Sequence, residues 1–169
     1  MFVLSQKSLE KLNGVHINLV NFFKELILLS PWDFKITAGV RTAAEQNLEY
    51  QKGRTLPGIK VTKVDGYKQK SNHQTKFDGL GYAADIGVLV KEKVIEKVKE
   101  NGKEVEKEIE KTVYKGSWKD FHYYQDIYNT AKNAGLLEKY GIEWGGNCWK
   151  TFKDAPHWQI KGADKVAFK

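Results

Sequence analysis

Ser71-Asn72-His73-Gln74-Thr75-Lys76-Phe77-Asp78-Gly79-Leu80-Gly81-Tyr82-Ala83-Ala84-Asp85-Ile86-Gly87-Val88-Leu89-Val90 is the stretch on which the fold turns. Its second half, Ala84 to Val90, is dense in aliphatic and β-branched residues that suit a pleated surface, and it predicts a strand. The first half is polar and glycine-containing, and it reaches back to a second run of strand character at Lys60 to Val64. A loop of this length inside a compact domain is usually functional or disordered, so His73 weighs more than a histidine on a helix face.

Upstream, Leu9, Leu12, Val15, Leu19, Phe22, Phe23 and Leu26 recur at helical spacing, and Ser30-Pro31 closes the pattern because a residue before proline is pushed out of the helical region. That spacing predicts one amphipathic opening helix. Phe34 to Thr37 alternates like a short strand, and Thr42-Ala43-Ala44-Glu45 has capping-box spacing for a second helix running to about Gly53. Downstream, Lys91 to Lys115 is almost all Lys, Glu and Val. Asn101-Gly102 near its middle favours a tight hairpin turn, whereas Val105, Ile109 and Val113 at four-residue spacing argue for a helix. The reading adopted is a projecting charged hairpin with a solvated, mixed-sign surface. Ser117 to Asp120 opens a third helix with Phe121, Tyr124, Tyr128 and Ala131 on one face and Gly135 past its end. Gly141 to Gly146 and Asp154 to Ile160 read as turns leading into a short strand. No repeat or linker divides the chain, so residues 1–169 are expected to form a single domain with a charged insertion at about 91–115.

With 169 residues, 41% hydrophobic and 12% aromatic, the chain can bury a core, which excludes disorder and a disulfide-stapled mini-fold. Cys148 stands alone, so any metal must be held mainly by nitrogen and oxygen. The net charge of +7 favours a polyanionic partner: nucleic acid, anionic lipid or bacterial cell wall. The first residues lack a basic stretch followed by a long apolar run, and Leu26 to Leu29 is too short to span a bilayer. The chain therefore reads as soluble, without a transmembrane segment or a signal peptide.

A mononuclear catalytic zinc takes three protein ligands and leaves a position open for water, and His73, Asp85 and His157 can supply such a set. Single His and Asp residues are more often structural than ligating, but here the neighbours change the odds. Ser71-Asn72-His73, then Gly81-Tyr82-Ala83-Ala84-Asp85, then Asp154-Ala155-Pro156-His157 resemble the zinc signature of the D-alanyl-D-alanine peptidase superfamily, S-x-H-x-x-G-x-A-x-D with a later acidic-x-x-H. Val40-Arg41-Thr42 with Glu45-Gln46, Tyr50, Gly53-Arg54-Thr55 and Pro57-Gly58 are similar to a segment of its phage-endolysin branch. Trp144-Gly145-Gly146, Trp149-Lys150 and Phe152-Lys153-Asp154 are similar to that branch's approach to the second histidine. The chain departs from the pattern between His73 and Gly81, where seven residues stand in place of two. The insertion, Thr75 to Gly79, makes Asp78 a rival to Asp85; the G-x-A-x-D context and a rigid strand favour Asp85.

The resemblance implies an α+β fold like that of the hedgehog domain and the D-Ala-D-Ala peptidases, with a small, mainly antiparallel sheet and helices packed against it. It implies a zinc metallopeptidase that hydrolyses peptidoglycan, with Zn2+ on His73, Asp85 and His157 and the L-alanyl-D-glutamate bond as its target. Asp154 would accept the proton of the attacking water, with Glu143 next in line. Arg41 would polarise the substrate carbonyl, or else only pair with Glu45; Ser71 and Gln46 would touch substrate or support the site. Two alternatives stand beside this reading: a D-alanyl-D-alanine carboxypeptidase or dipeptidase, and a non-catalytic domain that keeps zinc for structure. His16 and His122 read as packing or surface residues, Cys148 as a small buried one, and Trp144 and Trp158 as core or groove lining. No helix-turn-helix, zinc-finger or aromatic ribonucleoprotein motif is present, so nucleic acid is not an expected partner. The expected partners are peptidoglycan stem peptides and an anionic envelope. The expected state is a monomer made in the cytoplasm that reaches the wall through a separate pore.

Overall fold

Two helices, not one, open the chain: α1 (Gln6–Lys11) and α2 (Ile17–Leu29). The apolar spacing survives across a break at Gly14, whose φ of 77° no helix accommodates. There the backbone turns to meet Gly81, which donates to the Gly14 carbonyl and accepts from His16, both at 2.9 Å. The structure, a computed structural model, describes residues 1–147 and 153–169. β1 (Asp33–Ala38) follows, then α3 (Ala43–Gln51), whose Thr42 and Glu45 form the expected capping box.

Lys60 to Val64 forms no strand, against the sequence expectation. The amides of Gln46 and Asn47 on α3 take the carbonyls of Val64 and Asp65 that a ladder would use. Next, Asp65 accepts the backbone N–H groups of Tyr67, Lys68 and Gln69 and curls the chain back on itself.

β2 (Ala83–Glu100) and β3 (Lys103–Lys115) make the charged hairpin, with Asn101 and Gly102 both at positive φ, 49° and 77°. Asn-Gly thus prevails over the four-residue apolar spacing, which becomes a cross-strand pattern instead. Val90, Val94 and Val98 face Val113, Ile109 and Val105, and ion pairs Glu92–Lys115, Glu96–Lys111 and Glu100–Lys107 run between those rows. A turn of 3-10 helix at Trp118–Asp120 leads into α4 (Phe121–Asn133), α5 (Leu136–Tyr140), β4 (Ile142–Trp144) and β5 (His157–Ile160). The sheet runs β1-β2-β5-β4 with every pair antiparallel, and β3 shares with β5 the side of β2 away from β1. This is the α+β arrangement expected.

The pleat of β2 sorts the two faces of the sheet. Ala84, Ile86 and Val88 are fully buried against α2 and α4 with Phe22, Phe23, Tyr124, Trp144 and Trp158. Asp85 and Gly87 lie on the other face, where Asp85 lines a cleft and Gly87 lies under the Tyr114 ring.

The insertion Thr75 to Gly79 also has a structural account. Phe77 N donates to Ala167 O (2.9 Å) and Lys169 N to Thr75 O (3.2 Å), so the insertion pairs with the C-terminal residues. Lys76 is fully buried; its ammonium donates to Asn72 Oδ1 (2.8 Å) and the Val166 carbonyl (3.3 Å) and lies 3.4 Å from the centre of the Phe168 ring. Among the described residues, no helix is long and apolar enough to cross a membrane.

Candidate metal centre

Asp85 and His157 face each other in the register of β2 and β5. His73 arrives from the irregular segment, held by bonds on either side: Arg41 N donates to its carbonyl (3.0 Å) and Tyr82 N to that of Asn72 (2.8 Å). Asp85 Oδ1 lies 3.2 Å from His73 Nε2 and 3.1 Å from His157 Nδ1, and the three ligand atoms fall within 4.8 Å of one another.

The outer nitrogens decide what the inner ones offer. His73 Nδ1 meets the Gly39 carbonyl at 2.7 Å; a carbonyl only accepts, so Nδ1 carries the proton and Nε2 keeps its lone pair. His157 Nε2 donates to Gln159 Oε1 (2.8 Å), and Gln159 Nε2 donates to Glu143 Oε1 (2.6 Å), which turns the Nδ1 lone pair inward. Asn72 Nδ2 reaches the same Gln159 oxygen at 3.1 Å. With both rings neutral, two nitrogen lone pairs and a carboxylate oxygen converge, an arrangement that could hold a metal ion. Two imidazoles and one carboxylate are a donor set suited to zinc.

Electrostatics follow the same logic. Burial pushes the Asp85 carboxyl up, but the two facing imidazoles outweigh it and hold the group well below the usual carboxylate range. Burial depresses His73 against the pull of Asp85, whereas for His157 the carboxylates of Asp85 and Asp154 outweigh burial and raise it. Asp154, brought alongside by a bond from His157 N to its carbonyl (3.2 Å), is pushed up to about 6 by burial and then by the charge of Asp85. Gly145 is packed so tightly here that a Cβ on it would stand 2.6 Å from the Asp154 carbonyl oxygen.

Arg41 does not pair with Glu45, which is committed to the capping box; its Nη2 donates to Asp85 Oδ2 (2.8 Å) and Nη1 to Gln46 Oε1 (3.2 Å). Gln46 is buried with both ends of its amide bonded, so it orients Arg41. Ser71 Oγ accepts from His73 N (3.3 Å) on the cleft wall. Asp78 is outside the cluster, exposed, and accepts from Tyr82 Oη (2.8 Å). His16 caps α2, His122 is exposed, and Trp144 and Trp158 are core. Cys148, Trp149, Lys150 and Phe152 lie outside the described residues. Sequence reasoning missed Gln159, Asn72 and Gly39. For Gln159 a signal existed, since two positions after His157 on a strand means the same face.

Arg41, Ser71, Asn72, Asp85, Asp154 and His157 all line one cleft of about 1570 Å³. Residues 1–76 match a family model described as phage L-alanyl-D-glutamate peptidase, and residues 65–160 match one described as D-alanyl-D-alanine carboxypeptidase. The chain is 30% identical over 128 residues to the peptidoglycan L-alanyl-D-glutamate endopeptidase CwlK of Bacillus subtilis (strain 168). That match takes in 76% of this chain and 60% of the relative, so the chain spans less than two thirds of the relative's length. The crystal structure of the Serratia marcescens L-Ala D-Glu endopeptidase ChiX superposes with a TM-score of 0.61 at 24% identity, over 96% of this chain and 93% of that one. This is a likeness of fold.

Proposed function

From its membership of the D-alanyl-D-alanine carboxypeptidase family, whose model spans residues 65–160, we propose that this chain is a zinc-dependent peptidoglycan hydrolase cutting the L-alanyl-D-glutamate bond of the stem peptide. The observation that carries the reading is the convergence of His73 Nε2, Asp85 Oδ1 and His157 Nδ1 beside Asp154 and Arg41 in one cleft. His73, Asp85 and His157 would hold the ion. Zinc there supplies Lewis-acid polarisation of the scissile carbonyl and draws the pKa of a water towards about 7.

The remaining work falls to the chain's own groups. Asp154 takes the proton of the attacking water and returns it to the leaving amine; a carboxylate held up to about 6 is poised for both transfers near neutral pH. Arg41 carries five donors, of which two are used on Asp85 and Gln46, and it faces the carbonyl oxygen as negative charge develops. Gln159 and Glu143 keep His157 in the tautomer the site needs.

The cleft exceeds the roughly 300–1,000 Å³ of small-ligand pockets, which suits an extended peptide on both sides of the bond. Both relatives named above are called L-alanyl-D-glutamate endopeptidases. The description attached to residues 65–160 favours a second reading, a carboxypeptidase removing terminal D-alanine. The net charge of +7 suits approach to an anionic envelope in either case. Mass spectrometry of a peptidoglycan digest separates the two: new amino-terminal D-glutamate is expected, and free D-alanine without it would overturn the bond assignment.

A further inference from the structure

Tyr114 is the one Phe, Tyr or Trp among the described residues that line the cleft. It belongs to β3 and pairs with Leu89, yet its ring leans one row towards Asp85, across two glycines. A Cβ on Gly87 would stand 2.4 Å from the ring, and one on Gly116 2.3 Å from it. Two adjacent bare backbones thus form a floor that only the absence of side chains allows. The Lys35 ammonium lies 5.2 Å from the ring centre, beside Gly87 in the register of β1 and β2. Tyr114 is 51% exposed and lines the cleft, and the group over its ring is the end of the long, exposed Lys35 side chain, which a stacking ligand would displace.

Position supplies the occupant. Gly87 is two residues from Asp85 on the same face of β2, about 7 Å along the strand. β1 continues in the opposite sense past Asp85 to Arg41 and α3, from which the segment carrying Arg54, Lys60 and Lys63 hangs. The cleft therefore has an aromatic end and a basic end, with the candidate metal centre between. A stem peptide has the same polarity: its L-alanine is joined through a lactyl group to the N-acetylmuramyl sugar, and its carboxylates begin with D-glutamate. One residue, ~3.8 Å, and a short ether link bring the sugar ring to the distance of Tyr114.

We propose that Tyr114 is a stacking platform for the N-acetylmuramyl ring, selecting stem peptides still attached to glycan. The inference rests on the L-alanyl-D-glutamate reading above. The test compares kcat/KM for N-acetylmuramyl-L-alanyl-D-isoglutamyl-L-lysine and for the same tripeptide with a plain N-acetyl cap, using the zinc-loaded full chain. The wild type should prefer the muramyl substrate by about 3- to 10-fold, the range an aromatic contact supplies. Tyr114→Ala should bring that ratio towards one, Tyr114→Phe should keep it, and Gly87→Ala, which displaces the ring, should lose it. Because the ratio is taken within each variant, partial unfolding or metal loss leaves it unmoved. Equal cleavage of both substrates by the wild type, or an undiminished preference in Tyr114→Ala, overturns the platform alone. Cleavage of neither overturns the bond assignment and the platform with it.

Discussion

Asp154 is set apart from the ligands by what it touches. His73 and His157 each have an outer nitrogen committed to an acceptor and an inner one turned to Asp85, whereas Asp154 meets the cluster through charge and a backbone bond. Asp154→Asn preserves volume and hydrogen-bond acceptance but cannot take a proton. Turnover should fall by roughly 10²–10⁴-fold with zinc content unchanged, measured by metal analysis and wall digestion on the same sample. Loss of zinc would make Asp154 a ligand, and normal turnover would move the base elsewhere. The candidate site residues were legible in the sequence through the resemblance of their neighbours, Ser71 to His73, Gly81 to Asp85 and Asp154 to His157, to a family signature, not through any local property of the three ligands. Asn72 and Gly39 were not, because the hydrogen bonds that give them a role join residues distant in sequence; Gln159, two residues from His157 on one strand, was within reach of strand periodicity.

At the scale of elements, local signals succeeded where the chain satisfies itself and failed where a distant partner intervenes. The capping boxes at Thr42 and Ser117 and the Asn101-Gly102 turn stand as read. The opening helix breaks because Gly14 and His16 bond to Gly81, and Lys60 to Val64 stays irregular because α3 claims carbonyls beside it. The insertion Thr75 to Gly79 belongs to the second kind, since its partner is the C-terminal end. Lys76→Met keeps much of the buried stem but leaves Asn72 Oδ1 and the Val166 carbonyl without their ammonium donor. Each acceptor left unsatisfied costs about 1–3 kcal/mol, so urea denaturation should show a loss of that order or somewhat more. A stability equal to wild type would mean that apolar packing against Phe168, not the charge, holds the C-terminal residues.

The whole molecule brings its three candidate ligands from separate places: His73 from the irregular segment, Asp85 from the central strand, His157 from β5. An ion on all three ties the segment to the sheet, and it has no comparable site in the unfolded chain, so binding free energy becomes folding free energy. At free zinc a thousandfold above the dissociation constant the gain is about 4 kcal/mol. In a chain of this length each kcal/mol moves Tm by roughly 2–4 °C, so chelation should lower Tm by on the order of 10 °C and added zinc should restore it. Asp85→Ala should melt at one temperature with or without zinc, while Asp78→Ala, outside the cluster, should respond to zinc like the wild type. A wild-type Tm indifferent to chelation, in protein shown by metal analysis to have lost its zinc, would mean that the three side chains are held together by the fold alone. The converging lone pairs of His73 and His157 would then need a proton in place of a metal.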